Sequence, residues 1–445
     1  MNANDKIYDF LAVGVGPFNL SLACLTHPLE DVNGLFLDQN EEFDWHPGML
    51  LEDTTLQVPF MADLVTLSDP TNPFSFLNYI KQQGLIYSFY IKESFFLLRK
   101  EYNNYCKWAI DQLPNVFFGI RVEDIHYSDE ESCYIVSAVP TKNNEIKIYK
   151  TYKLVLGTGT SPAVPLCCKD LKDKAVHSSR YLYKKEELST KDSITIMGGG
   201  QSAAEIFYDL LQSLETGYQL NWITRSPRFF PLEYSKLTLE MTSPEYVDYF
   251  YGLPLNKRDR LLSDQKNLYK GINQDLINDI FDLLYIKRLN GHTNVQLRTN
   301  SELKQASFDQ DTETFNLHIH QVEEGKHYRH ATKALVLATG YGYNEPTFIS
   351  GIDDRIARDD EGRFQVNRNY SIDKGENEIF VQNAELHTHG FVTPDLGMGC
   401  YRNAHIIKSI TGVAHYPIET RIAFQQFEVT NDEEIFVEEP LAMDV

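Results

Sequence analysis

Two glycine-rich turns have the residue types that hold phosphate. The first is Gly14-Val15-Gly16-Pro17-Phe18-Asn19-Leu20. A diphosphate needs backbone that comes close and N–H groups that point at it. Gly14 and Gly16 permit both, and the helix expected to follow offers its positive end. Asn19 takes the place of the third glycine of the usual fingerprint. Asp38 comes roughly twenty residues later, at an expected strand end where a carboxylate can bind ribose hydroxyls. The second turn is Gly198-Gly199-Gly200-Gln201-Ser202-Ala203, with Ala203 in the third position. The strand after it ends at Thr224-Arg225-Ser226, without an acid. An acid there would repel a 2′-phosphate, whereas Arg225 can bind one through two hydrogen bonds. The pair predicts FAD at the first turn and NADPH, in preference to NADH, at the second.

Other reactive residues are less specific. His387 and His389 have the spacing of a metal pair but lie in an expected loop without a further ligand, so no metal is expected. The six cysteines, Cys24, Cys106, Cys133, Cys167, Cys168 and Cys400, form no CxxC pair and no zinc spacing, and are read as reduced thiols.

Each turn must be held by a β-α-β unit. Residues 7–13 read as a strand, 18–25 as a helix and 35–37 as the next strand. A buried strand at 153–156 ends at Gly157. The second unit has a strand at 194–197, a helix at 201–211 and a strand at 221–224. Residues 234–251 and 275–289 read as helical, punctuated by Pro244 and Pro254. Strands follow at 334–337, ending toward Gly340, and at 378–381. The expected fold is α/β, with two Rossmann-like dinucleotide-binding domains and a small helical substrate-binding insertion. The FAD-binding domain is placed at 1–165 and 341–430, the NADPH-binding domain at 166–228 and 292–340, and the insertion at 229–291. An acidic, flexible tail is expected at 431–445.

Composition narrows the class further. The chain has 445 residues, 42% hydrophobic and 23% charged, with a net charge of -22. A nucleic-acid binder needs a basic footprint, so nucleic acid is excluded as a partner. The first eight residues carry both charge signs and no long apolar run, unlike a secretory signal. No stretch approaches the ~20 apolar residues of a membrane span. No membrane partner and a cytoplasmic location are expected.

These motifs together resemble the N-hydroxylating flavin monooxygenases that act on ornithine, lysine or diamines for hydroxamate siderophores. The resemblance spans about residues 7–429. Gly14 to Leu20 is similar to the family's FAD turn. Trp45-His46-Pro47-Gly48-Met49 and Leu56-Gln57-Val58-Pro59-Phe60 are similar to its flavin-contacting segments. Gly200-Gln201-Ser202-Ala203 resembles its NADPH turn, and Ala338-Thr339-Gly340-Tyr341 with Pro346 its substrate-side signature. Asn383 and His387-Thr388-His389-Gly390 resemble its C-terminal flavin segment, which extends to Pro394. Lys333 departs from the signature, where an aspartate is frequent.

Within the family, 225–234 and Pro394-Asp395-Leu396-Gly397-Met398-Gly399 look like the diamine branch, enzymes of putrescine or cadaverine. Amino-acid hydroxylases hold the substrate carboxylate with a lysine two residues beyond Gln-x-x-Phe, and that position is Ala62 here. Such a lysine contributes up to about 4 kcal/mol at an effective dielectric near 20, before desolvation. Asparagines that help bind the amino-acid end align with Leu239 and Leu268. Arg228 or Lys236 are alternative carboxylate partners, which would fit an ornithine or lysine hydroxylase.

The resemblance implies hydride transfer from NADPH to FAD, then attack by a neutral amine on a C4a-hydroperoxyflavin formed with O2. Neutralising an amine of pKa near ~10.4 at pH 7 costs about 4.6 kcal/mol, which an apolar pocket reduces. Gln57 is the candidate catalytic residue, while Trp45 and His46 wall the flavin. Glu233, Glu240 and Asp395 are candidates for the distal ammonium. A homo-oligomer, tetramer or dimer, is implied. A disulfide-type pyridine-nucleotide oxidoreductase and a nucleotide-binding regulator are the competing readings.

Overall fold

In the computed structural model, residues 6–143, 145–375, 377–430 and 432–435 are described. Of the expected acidic tail, position 431 and 436–445 lie outside the described residues.

The short apolar runs form two five-stranded sheets. The first has the order Ile379–Val381, Leu154–Leu156, Phe10–Val13, Gly34–Leu37, Val116–Phe117, with every neighbour parallel. The four strands before the edge strand are buried at every position, as parallel strands covered on both faces must be. The second has the order Val176–His177, Ala334–Leu337, Ser193–Met197, Gln219–Ile223, Val295–Arg298, also parallel. In both, the strand leading into the glycine turn lies between the next strand in sequence and one that returns late.

The late return runs through an antiparallel meander in each half. One comprises Ile120–Ser128, Cys133–Pro140 and Lys147–Thr151; the other comprises Ser301–Asp309, Thr314–Gln321 and Lys326–Thr332. None of these strands is among those expected from the sequence. Bulges between Val122 and Asp124 and between Leu303 and Gln305 shift the register and break the period-two pattern that marks a half-buried strand. The first meander also takes Ile7–Tyr8 parallel to Lys147–Thr151, so the expected strand at 7–13 is two strands in different sheets.

Close approach at the strand ends explains the glycines. Gly14 has φ +88°, and a side chain there would lie 2.4 Å from the Gly157 carbonyl oxygen. One on Gly198 would lie 2.1 Å from the Ala338 carbonyl oxygen. Asn19, where a third glycine is usual, does positive work. Its Nδ2 donates to Gly14 O at 2.7 Å, and its Oδ1 accepts from Gln382 Nε2 at 2.7 Å. It thereby ties the first turn to the residue after the outermost strand.

Two chain crossings join the halves, Thr160–Pro162 and Tyr341–Tyr343, paired antiparallel. The stretch expected as an insertion leaves and re-enters together: Leu232 N donates to Ile272 O at 2.7 Å and Ile272 N to Phe230 O at 2.9 Å. It contains Lys236–Leu239, Pro244–Gly252, Leu255–Asp264 and Asn267–Lys270. Gln274–Leu289, expected within the insertion at 229–291, instead packs Ile280 into the second core and crosses from Gln219–Ile223 to the parallel strand Val295–Arg298. The helical run expected at 234–251 is broken in two. Ser243 caps a new helix, accepting from Tyr246 N at 3.2 Å, and Pro244 takes its first position. This helix buries Tyr246, Val247 and Phe250 in the core around the first sheet, where Tyr246 meets Phe391 at 5.7 Å and Phe427 at 5.1 Å.

Removing the Asn19 amide leaves the buried Gln382 donor and the Gly14 carbonyl without these partners. Asn19→Ala should destabilise the protein by about 1–3 kcal/mol, read from chemical denaturation. An unchanged midpoint would show that the amide does not brace the turn.

Candidate active site

Both cradles meet the requirements of a diphosphate. Gly16 is the N-cap of Pro17–Thr26, without a side-chain cap, and no atom lies within 4 Å of a side chain placed there. Gly200 is the N-cap of Gln201–Gln212, also uncapped, with open space limited only by the Lys270 carbonyl at 3.5 Å. An uncapped helix start under clear space leaves N–H groups for an anion. Pro17 sits where its missing N–H costs nothing, and Ser202 lies in the first turn of the second helix. Asp38 braces the first turn, its Oδ2 accepting from Val15 N and its Oδ1 from Asn40 N, both at 2.7 Å. Each oxygen keeps a second lone pair for a ribose hydroxyl. Arg225 is exposed just beyond Gln219–Ile223. Lys270 is close by. Burial, then Lys266 and Arg225, hold its ammonium below the ordinary lysine value.

A short strand pair brings the halves into contact at these turns. Thr55–Pro59 carries Gln57 and pairs with Phe96–Leu98, which runs directly into Arg99–Ile110. Gln57 Nε2 lies 3.3 Å from Gln201 Oε1. Gln201 Nε2 donates to Glu205 Oε1 at 2.8 Å, and Arg99 forks onto Glu205 at 2.8 and 2.7 Å. The Glu205 side chain is 3% exposed, and burial pushes its carboxyl above the usual range while Arg99 and Gln201 oppose this. Sequence reasoning missed Arg99 and Glu205. Glu205 lies four residues after Gln201 on one helix face, but nothing in the sequence marks Arg99 as its partner.

His46 has left-handed backbone, φ 54°, and its ring meets Trp45 at 4.9 Å and Tyr341 at 5.6 Å. Its side chain reaches solvent, yet the protein packed around the ring, then Arg99, lowers its pKa to about 4. Tyr341 also meets His177 at 5.3 Å. Thr339 Oγ1 donates to Ala163 O at 2.6 Å, clamping the crossing between halves. Asn383 has φ 62° just past Ile379–Val381. His389, expected at the flavin, is instead in the core: 1% exposed and stacked on Tyr370 at 4.3 Å. Its ring nitrogens pair with Thr388 Oγ1 and Arg368 O.

The candidate substrate residues separate. Ala62 is buried, and a side chain on Gly397 would lie 3.7 Å from its Cβ. Asp395 Oδ1 accepts from Gly397 N at 2.7 Å as the N-cap of Leu396–Met398, and it lies 3.2 Å from the same point beside Gly397, so the acid and Ala62 flank one glycine. Burial pushes the Asp395 carboxyl up, opposed by Gly397 N–H and Arg402. Burial and then Asp395 push the Tyr234 hydroxyl up. Arg402 is committed elsewhere, its Nε 2.8 Å from Glu385 Oε1, near enough for an ion pair but not aligned as a hydrogen bond. Pro394 is exposed beside Asp395. Glu240, by contrast, holds the C-terminal segment, accepting from Phe424 N and Gln425 N at 3.0 and 3.1 Å. Glu233 is exposed, and Thr238 Oγ1 donates to its carboxylate at 3.5 Å. Leu268 packs against the first core, and Leu239 is partly exposed. Cys167 and Cys168 lie 4.0 Å apart as free thiols, packed into the core beside the second meander. No group of three His, Cys, Asp or Glu among the described residues is arranged to hold a metal.

With its pKa near 4, His46 should remain neutral at pH 5.5, where an ordinary histidine is mostly protonated. Its imidazole NMR shifts should change only below about pH 5; a midpoint near 6.5 would contradict this environment.

The chain matches the family described as L-lysine 6-monooxygenase/L-ornithine 5-monooxygenase over residues 6–343. It is 53% identical to putrescine N-hydroxylase of Shewanella oneidensis, over 96% of this chain and 85% of that protein. It is 47% identical to putrescine N-hydroxylase of Acinetobacter baumannii, over 97% and 96%. Its structure superposes on that of DfoA of Erwinia amylovora, the FAD-bound cadaverine monooxygenase of the desferrioxamine pathway. The TM-score is 0.94 and the identity 56%, over 96% of this chain and 99% of that one. Two facing cradles, the flavin-segment motifs and these matches agree: the chain belongs to the lysine/ornithine N-monooxygenase family.

Proposed function

We propose that this chain hydroxylates one primary amine of an aliphatic diamine, using FAD, NADPH and O2, for hydroxamate siderophore assembly. The observation that carries the substrate class is the pairing of Ala62 with Asp395. Where an amino-acid hydroxylase keeps a lysine there is a methyl group, and beside it stands a surrounded carboxylate whose neighbouring cation is already engaged. That arrangement suits an ammonium and repels a carboxylate. The names of the relatives, putrescine and cadaverine enzymes, support the same class.

FAD belongs at Gly14, Gly16 and Asn19 with Asp38, and NADPH at Gly198, Gly200, Gln201 and Ser202 with Arg225. The cofactors supply hydride transfer and oxygen activation; the protein supplies position, charge and exclusion of water. Asp395 accepts the far ammonium and so sets which nitrogen is left at the cleft. The reacting nitrogen must be uncharged, and the apolar surroundings favour the neutral form. A neutral His46 adds no second charge to that end. Trp45 and Tyr341 wall the cleft, and Gln57 offers an amide to the bound cofactors. The helices between Leu232 and Ile272 are assigned to the substrate end, and Gln274–Leu289 to the NADPH-binding half. Phe281, Tyr285 and Leu289 form an exposed stripe at four-residue spacing along Gln274–Leu289, which supports a homo-oligomer. No helix among the described residues is long and apolar enough to cross a membrane, and a cytoplasmic site of action is part of the proposal.

The test is a panel of putrescine, cadaverine, ornithine and lysine, with the hydroxylated product identified by mass. A diamine should give the highest kcat/KM; ornithine or lysine in first place would refute the substrate class. Asp395→Asn should lower kcat/KM for diamines by roughly 10–100-fold, the loss of one charged hydrogen bond of about 1.5–3 kcal/mol. Arg225→Ala should raise KM for NADPH far more than for NADH. Equal effects would remove Arg225 from the phosphate site.

A further inference from the structure

The contact between the halves is a directional chain of hydrogen bonds, and its direction can be read from chemistry alone. A carboxylate only accepts, so Glu205 obliges Gln201 to turn its NH2 group inward. The same carboxylate is held in its charged form by the two-pronged contact from Arg99, whose side chain is 14% exposed. A backbone N–H only donates, so Asn273 N, 2.8 Å away, obliges Gln201 to turn its carbonyl oxygen outward. Two independent partners thus fix one amide. Gln201 Oε1, so oriented, faces Gln57 and requires the Gln57 NH2 group at 3.3 Å. The opposite end of the Gln57 amide is its carbonyl oxygen.

We propose that the Arg99–Glu205 ion pair is a positioning device. It fixes the sense of the Gln57 amide, so that Gln57 presents a hydrogen-bond acceptor to the cleft between the two dinucleotide sites. The inference rests on the proposed function, which puts the cofactors against this cleft. It adds two positioning residues, Arg99 and Glu205, and states the class of cofactor group that Gln57 serves: a donor N–H or O–H. Asn273, the N-cap of Gln274–Leu289, brings that helix into the same device, because it supplies the donor that opposes an inverted Gln201. Glu205→Gln changes the logic at its source. Glu205 Oε1 accepts from both Arg99 Nη2 and Gln201 Nε2, while Oε2 accepts from Arg99 Nη1. An amide there must set its NH2 group against at least one prong of Arg99, so the charged fork is lost and the hold on Gln201, and through it on Gln57, is loosened.

The experiment measures hydroxylated amine formed and hydrogen peroxide released per NADPH oxidised. It uses the FAD-loaded wild type, Gln57→Ala, Glu205→Gln, Arg99→Lys and the double variant Gln57→Ala/Glu205→Gln. Flavin content and thermal midpoint confirm that each variant is folded. Arg99→Lys keeps the charge but loses the fork, and serves if Glu205→Gln loads flavin poorly. Glu205→Gln should lower product per NADPH several-fold and raise peroxide, with KM for NADPH within about twofold of wild type. Adding it to Gln57→Ala should change nothing further, because the device acts through Gln57. Losses that multiply in the double variant, or unaltered coupling in Glu205→Gln and Arg99→Lys, would overturn the proposal. If Gln57→Ala itself leaves coupling intact, Gln57 is not at the cofactors and the device has no target. A failure of the substrate class would show in the wild type instead, as absent diamine product.

Discussion

Arg99 and Glu205 are charges that cannot be separated without cost. Both side chains are largely withdrawn from water, and removing one partner of such a pair leaves the other charge unpaired, at about 3–5 kcal/mol. The pair lies where two otherwise independent sheets have to meet. Arg99 begins the helix that follows the strand pair of Gln57, and Glu205 stands one turn into the helix of the second glycine turn. Holding these two groups together therefore holds the strand-pair segment of Gln57 against the helix of the second glycine turn. With the cofactors where the proposed function puts them, hydride transfer demands that proximity.

The rest of the site follows from how tightly each turn is packed. Gly14 rests against the Gly157 carbonyl and Gly198 against the Ala338 carbonyl, so the backbone of each turn is drawn in over its sheet. Above Gly16 and Gly200 the space stays open. The same residue type thus serves two opposite needs, contact below and clearance above. Asp38 and Asn19 lock the first turn from either side, and Trp222 Nε1, donating to Gly198 O at 2.8 Å, steadies the second.

The elements legible in the sequence were those with local causes. The buried strands at the two turns and the helices after them carry short apolar runs and glycines, and the structure has them at Phe10–Val13, Pro17–Thr26, Ser193–Met197 and Gln201–Gln212. The family and its chemistry were legible for the same reason. The meanders were not, because bulges and exposed faces blur their alternation. Nor was the split at Asp9, where a run that looks continuous changes sheets. At the site, Ala62 is informative by what it lacks, and that can be read along one chain. Which acid stands beside it cannot. Glu240 and Asp395 are equally plausible in sequence, and only the fold commits the first to the C-terminal segment and sets the second across Gly397 from Ala62. His389 is a similar case, drawn into the core by Tyr370 although it neighbours flavin-segment residues.

The central claim is that two facing cradles align two dinucleotides over a pocket whose far end is an acid. A crystal structure of the protein with FAD, NADP+ and a diamine tests it directly. The account predicts one diphosphate at Gly16, the other at Gly200, and the far ammonium within hydrogen-bond reach of Asp395. A diamine whose far nitrogen is held by another acid, or a nicotinamide nucleotide bound away from Gly198–Ser202, would contradict it.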